Sequence, residues 1–239
     1  MSQFLDGKTL LIAGGASGAG LALASRAVAL GATVHLVGRS LAKLHAAQQH
    51  LGKRLIGHQA DIGSEVEIKG VADKVAGFDH LITTAADLTF APFLELADTD
   101  IDRMLNSKFW GPVYLVRNLV GKLAKTGSIT FVGGSAALKA SPGASIVAAA
   151  NAALDGLART LALELAPVRV NVVSPGVFDG STWDFLNPKS RVETLSAIGQ
   201  TLPVGRAGRA DEIADALLFL LGNSFVTGTV LQIDGGANA

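Results

Sequence analysis

Short apolar runs alternate with long helical stretches along almost the whole of this chain, and that alternation constrains its fold more than anything else. Strand candidates are Thr9–Ala13, Thr33–Val37, Leu55–Gln59, His80–Thr83, Ser128–Val132, Arg169–Val173 and Val230–Ile233. Between them lie helical stretches at roughly Gly18–Leu30, Leu41–Leu51, Ser64–Val75, Thr99–Lys122, Ser145–Leu165 and Asp211–Leu221. Most strand candidates read as continuous apolar runs, as expected where helices cover both faces of a sheet. Regular strand–helix alternation predicts an α/β fold with a parallel, doubly wound sheet of about seven strands and right-handed crossovers. No linker or low-complexity segment divides residues 1–239, so one domain is expected. The one irregular stretch, Val177–Arg206, carries Trp183 and Phe185 and reads as a loop or lid over a site.

Charge and composition narrow the function classes. The chain has 239 residues, with 20 Lys+Arg against 20 Asp+Glu, so its net charge is zero. That balance argues against nucleic-acid binding by general electrostatics and against a polybasic membrane patch, and it removes a barrier to self-association. The absence of cysteine excludes disulfides, thiolate metal sites and cysteine nucleophiles. The five histidines show no metal-ligand spacing, so no metal is expected. Met1–Lys8 lacks the basic and apolar regions of a signal peptide, and no apolar run reads as long enough to cross a bilayer. A cytoplasmic location is the expectation.

The first strand candidate runs directly into Gly14, and a helix begins near Gly18. Glycines at 14, 18 and 20 allow a tight turn, close backbone approach and close helix–strand packing. The helix N-terminus, with Ser17, Gly18, Ala19 and Gly20, then presents free N–H groups and a positive dipole end to a pyrophosphate. The pattern makes the fold Rossmann-type and the ligand a dinucleotide. At the end of the second strand the chain reads Gly38-Arg39-Ser40, with a guanidinium where an NAD site has a carboxylate. Arginine offers bidentate contacts to a 2′-phosphate, and Ser40 adds a hydroxyl, so NADP is expected rather than NAD. The alternative is that Arg39 is a solvated loop cation. Asp61, at the end of the third strand, reads either as a partner for the adenine amino group or as a helix cap before Ser64.

From these motifs onward the chain resembles the short-chain dehydrogenase/reductase family over nearly its full length. Gly14-x3-Gly18-x-Gly20 matches the family's glycine pattern, and Ile82-Thr83-Thr84-Ala85-Ala86 stands where the family has an Asn-Asn-Ala-Gly turn. Asn106 matches the asparagine in the middle of the fourth long helix, and Ser135 the serine after the fifth strand. Asn151 to Leu157, Ala166-Pro167, Arg169-Val170-Asn171 and Ser174-Pro175-Gly176 follow the family, as does the tail from Gly205 to Gly236. The resemblance implies that Ala85, Pro175, Gly176 and Val177 border the cofactor, the last three beside the nicotinamide, and that the next stretch forms a substrate lid. It also implies a homodimer or homotetramer paired through the two long helices and the C-terminal strand. Phe178, Trp183, Phe185 and Leu186 in the lid suggest a partly hydrophobic small-molecule ligand.

The departure from the family lies at the start of the fifth long helix. There the family has Tyr-x3-Lys, whose tyrosine moves the substrate proton and whose lysine lowers the tyrosine pKa from about 10. Here the corresponding residues are Val147 and Asn151. Asn151 is still expected to bind the cofactor, by a hydrogen bond to a ribose hydroxyl, but it supplies no charge to bias a neighbouring acid. The one tyrosine, Tyr114, lies eight residues beyond Asn106, about 12 Å along a helix axis, and reads as a core or interface residue. Asn106 and Ser135 remain as the catalytic candidates, although Ser135 lies twelve positions before Val147, one fewer than in the family. Ala86 replaces the turn glycine, which implies a changed backbone because a Cβ disfavours positive φ. Lys139 and Ser145 flank the expected pocket, Lys139 reading chiefly as a solvated loop lysine. His58 and His80 read as packed or surface histidines, and Asp179 equally as a substrate contact or a lid-base turn. Two functions stay open: an NADP-linked oxidoreductase with an atypical proton source, and a cofactor-binding protein without dehydrogenase chemistry. A lyase or isomerase in the same pocket is a weaker third.

Overall fold

The computed structural model describes residues 4–239; Met1–Gln3, and with them part of the segment read for a leader, lie outside the described residues. The chain forms β1 (Thr9–Ala13), α1 (Gly18–Ala29), β2 (Thr33–Gly38), α2 (Leu41–Leu51), β3 (Leu55–Gln59), α3 (Glu65–Lys74), β4 (Phe78–Thr83), α4 (Asp98–Leu105), α5 (Gly111–Leu119), β5 (Leu123–Val132), α6 (Ser145–Glu164) and β6 (Arg169–Pro175). There follow β7 (Phe178–Asp179), α7 (Pro188–Gln200), β8 (Gly208–Arg209), α8 (Ala210–Gly222) and β9 (Val230–Ile233). Seven strands pair in the order β3-β2-β1-β4-β5-β6-β9, every neighbour parallel. This is the single-domain, doubly wound parallel sheet that the alternation predicts.

Two apolar cores sandwich the sheet. On one face Leu11, Leu81, Ile129 and Val170 pack with Ile68, Leu115 and Leu154 from α3, α5 and α6. On the other, Leu10, Ile12, Leu36 and Val173 pack with Leu23, Leu44 and Leu217 from α1, α2 and α8. Strand β1 is the switch point: it pairs with β2 on one side and β4 on the other, and the chain leaves these strands toward opposite faces. A crevice therefore opens at their C-terminal ends.

Three expectations need correction. The stretch 177–206 is not irregular throughout, because it contains the 13-residue helix α7. Asn187 caps that helix by accepting from the Ser190 N–H, and Pro188 occupies its first turn, where a missing N–H costs nothing. The helix expected over Thr99–Lys122 is interrupted by a wide π turn at Asn106–Trp110, closed by the Gly111 N–H on the Asn106 carbonyl. Finally, α6 is long and apolar enough, by length and composition, to cross a bilayer. Its inner face nevertheless packs on the sheet and buries the polar Asn151 and Asp155 along with Val147 and Leu154.

His58 and His80 are packed residues. His58 Nε2 lies 2.8 Å from His35 Nδ1, and His80 Nδ1 lies 2.8 Å from Ser128 Oγ. Burial holds both rings neutral, with pKa values pushed down to about 4 from the ordinary 6.5. The unfolded chain therefore takes up protons before the folded one does. The stability these neutral rings give is intact above about pH 6.5 and is lost as pH falls toward 4. Urea unfolding at pH 7 and pH 5 is expected to show a loss on the order of 4 kcal/mol. A His58→Gln/His80→Gln double variant should lose much less over the same interval, and an equal loss in both proteins would contradict the assignment.

Candidate functional site

The crevice is a cavity of about 710 Å³. Its floor is the loop after β1. Gly14 sits at φ +87°, and a Cβ there would lie 2.3 Å from the Ala85 nitrogen, so only glycine lets the β1 and β4 loops close on each other. Gly20 packs as tightly, 2.6 Å from Gly15 Cα by the same construction, which seats α1 directly on β1. Ser17 is the extended N-cap of α1, and its side chain makes no capping bond. The first turn, Gly18-Ala19-Gly20, thus lines the cavity with N–H groups that have no partner within the helix, an arrangement that suits an anion.

Arg39, Ser40 and Asp61 line one end. The exposed Arg39 guanidinium donates to the Asp87 carboxylate at 3.0 Å, and Asp87 also pairs with Arg103 at 3.1 Å. Ser40 caps α2 by accepting from the Lys43 N–H. Asp61 is not the cap of α3: Ser64 is, and Asp61 accepts from the Gly63 N–H two residues on. Ala85, Pro175, Gly176 and Val177 form the middle of the cavity wall, from the ends of β4 and β6. Ala86 lines it too, at negative φ, because every positive-φ residue among those described is glycine. The backbone at this turn is thus one that a residue with a Cβ adopts without strain.

The far end brings together Ser135, Val147 and Asn151. Val147 and Asn151 stand one turn apart on the buried face of α6. The Asn151 amide packs against Gly134, where a Cβ would come within 2.8 Å of Nδ2, and its buried Oδ1 has no hydrogen-bond partner. Lys139 borders the rim, donating to the Ala237 carbonyl at 3.1 Å.

Other candidates fall outside. Asn106 is exposed and is not in the cavity wall; Ser107 and Lys108, the next two residues of the wide turn, line it instead. Ser107 Oγ accepts from the Asp87 N–H at 3.0 Å, which ties the turn to the loop after β4. Ser145 is an exposed residue at the start of α6. Asp179 is spent on Arg191 of α7, which also holds Asp184 at 2.9 Å. It is a brace for the segment after β6. Tyr114 stacks on Trp110, with centroids 6.0 Å apart, and packs against the core, away from the cavity. Phe178 and Trp183 line the cavity, whereas Phe185 is exposed.

Lys108 is the residue that sequence reasoning missed. It is buried, lines the cavity, and is held by the Val132 and Gly133 carbonyl oxygens at 2.9 Å each. Burial pushes its ammonium down to about 8 from 10.5. A signal was present: Met104, Lys108, Gly111, Leu115 and Leu119 recur at helical spacing and are all buried, so a lone lysine interrupts an apolar stripe.

A family model described as enoyl-(acyl carrier protein) reductase matches residues 14–238. A short-chain dehydrogenase/reductase from Stachybotrys chlorohalonatus is 32% identical, and the match covers 98% of this chain and 98% of that protein. The crystal structure of a short-chain dehydrogenase/reductase from Brucella melitensis superposes with a TM-score of 0.92 at 28% identity, covering 99% of this chain and 98% of the other. A small-chain dehydrogenase solved in complex with NADPH superposes with a TM-score of 0.80 at 31% identity, covering 96% and 98%.

Gly14→Ala places a Cβ against Ala85 at a positive φ. It is expected to cost on the order of 1–3 kcal/mol and to lower the melting temperature by several degrees in calorimetry. A melting temperature within one degree of the parent's would show that the two loops do not lean on each other.

Proposed function

Because this chain belongs to the short-chain dehydrogenase/reductase family, whose members are oxidoreductases that bind nicotinamide cofactors, we propose that it is an NADP(H)-dependent oxidoreductase with an atypical active site. Its substrate is a small, partly apolar carbonyl or alcohol. Val147 and Asn151 occupy the positions where the family has its Tyr and Lys. The observation that carries the cofactor reading is the cavity itself, with the N–H cradle of α1 at its floor and Arg39 at the end of β2.

In this reading the pyrophosphate lies against Ser17, Gly18, Ala19 and Gly20, where dipole and N–H groups favour it. Arg39 meets the 2′-phosphate, exchanging the Asp87 carboxylate for a dianion. Ser40 is already the cap of α2, so its hydroxyl is shared between that cap and the phosphate. Asp61 sits near the adenine. Ala85, Pro175, Gly176 and Val177 border the nicotinamide half. Residues 177–206, with α7 braced by Arg191, form the lid, and Phe178 and Trp183 give it an apolar inner face. A bound nicotinamide would supply or accept hydride. Ser135 contributes a hydroxyl at that end; Asn106, exposed, does not take part.

A second reading is favoured by Val147, a buried side chain that can neither give nor take a proton: the chain binds cofactor without dehydrogenase chemistry. Its outward surface supports self-association in either case. Leu163 on α6 and Phe225 before β9 are 81% and 98% exposed, and β9 is an edge strand. We read the assembly as a homodimer or homotetramer built on α4–α5, α6 and β9.

Titration with NADPH and NADH, followed by a panel of small carbonyls, tests the proposal. NADPH is expected to bind more tightly, and turnover is expected in the native chain. Turnover only in a Val147→Tyr/Asn151→Lys variant would favour the second reading, and binding of neither nucleotide would sink both. Arg39→Ala should weaken NADPH by roughly tenfold or more, one to two charge-assisted hydrogen bonds, and leave NADH within about twofold. An unchanged NADPH affinity would refute the role of Arg39.

A further inference from the structure

Lys108 stands on the inner side of the π turn with 5% of its surface exposed. Its two carbonyl partners, at Val132 and Gly133, leave one of the three ammonium N–H donors unused. Asn151, which packs against the adjoining Gly134, is 3% exposed and its Oδ1 accepts nothing. Lys108 and Asn151 thus leave one buried donor and one buried acceptor unmade, two unmet polar groups of opposite kind. A lysine here for packing alone is a poor choice, since methionine fills similar space without the desolvation penalty. Arg169 shows what a structural buried cation looks like in this chain. Its guanidinium bonds the Leu220, Leu221 and Val226 carbonyls and does not line the cavity at the strand ends.

An oxygen that cycles between carbonyl and alcohol suits both unmet groups. As a carbonyl it accepts the spare N–H of Lys108, and as an alcohol it donates to Asn151 Oδ1. We propose that Lys108 is the catalytic acid of this pocket, giving its free proton to the reacting oxygen of the substrate, with Asn151 Oδ1 receiving the hydroxyl so formed. This rests on the oxidoreductase reading above. In the reducing direction one ammonium N–H bond breaks and an O–H bond forms on the former carbonyl oxygen. The carbonyl carbon is reduced by hydride from the reduced nicotinamide, which is oxidised. The neutral amine regains its proton from water, so the chain itself moves only the proton.

The surroundings suit that task. An ammonium pushed down to about 8 by burial holds its proton at neutral pH yet releases it readily. No ion pair with a described carboxylate raises it again. Asp155 on α6 flanks Gly133, with its own carboxyl pushed up by burial, and Lys139 lies at the rim on the Ala237 carbonyl. Arg39, Asp61 and Asp87 line the end assigned to the adenosine. Ser135 is the neutral hydroxyl on the same wall.

Two measurements on the full chain test the assignment. In protein carrying ¹³C-labelled lysine, the Lys108 Cε resonance, identified by its loss in Lys108→Arg, is expected to titrate near pH 8; an ammonium still charged at pH 10 overturns the proposal. For NADPH-driven carbonyl reduction, kcat should fall above that same pH. Lys108→Arg keeps the charge but cannot release it, so it should lose about 10²- to 10⁴-fold in kcat with NADPH affinity within about threefold. Retention of kcat within threefold, or of the same alkaline limb, overturns the proposal while leaving the oxidoreductase reading intact. Native protein that binds NADPH but reduces nothing in the panel removes both. Should Lys108→Arg fail to gain thermal stability with NADPH, Asn151→Leu serves instead. It should raise KM for the alcohol about tenfold in the oxidising direction, and an unchanged KM overturns the assignment.

Discussion

The pairing of β1 with β2 on one side and β4 on the other is the constraint on which the rest of this molecule depends. Because the neighbouring connections leave toward opposite faces, nothing fills the space beyond the strand ends, and a crevice has to open there. The close approach of Gly14 to the Ala85 backbone sets how far the two loops part. The tight seat of Gly20 on Gly15 then aims the N-terminus of α1 into the opening. The cavity is therefore a product of sheet topology, and the N–H lining of its floor a product of two residues without side chains.

Polarity is distributed unevenly along that cavity. The end at the close of β2 is rich in exposed charge, with Arg39, Asp87 and Arg103 linked through one carboxylate. Such pairs lie in water and contribute little to stability, which leaves them free to exchange partners with a ligand. The opposite end is made of buried side chains. There Val147 presents only hydrocarbon, and Lys108 and Asn151 are each buried and each incompletely bonded. Groups in that condition are expensive in a folded chain, and they are the kind that a ligand satisfies.

The segment after β6 shows how local chemistry can hold an excursion in place. Asn187 and Pro188 start α7, and Arg191 reaches back to Asp179 and Asp184. The two-residue pairing of β7 with β8 closes its base. Trp183 donates its indole N–H to the Phe178 carbonyl, which keeps both aromatic residues at the cavity mouth.

Much of this was legible in the chain itself. The run at Thr9–Ala13 is a strand with those same bounds, because a central parallel strand covered on both faces has to be apolar throughout. Leu55–Gln59 and Val230–Ile233 keep their bounds as well, as partly buried edge strands. Gly14, Gly18 and Gly20 announced the loop, since few other residues permit its turn and contacts. Asn187-Pro188 was a helix start that the sequence displayed and the reading passed over. What the tertiary structure alone decided is which side chains of the long helix face the cavity. Lys108 falls on the same helical stripe as Met104, and only the fold shows that this stripe meets the cavity at Lys108 while Asn106, at the start of the π turn, faces water. Whether Asp179 serves a ligand or Arg191 was likewise settled by a partner twelve residues away. Strand patterns are written into a chain by burial, residue by residue. The direction of a single side chain depends on turns and partners elsewhere, and only the folded molecule fixes it.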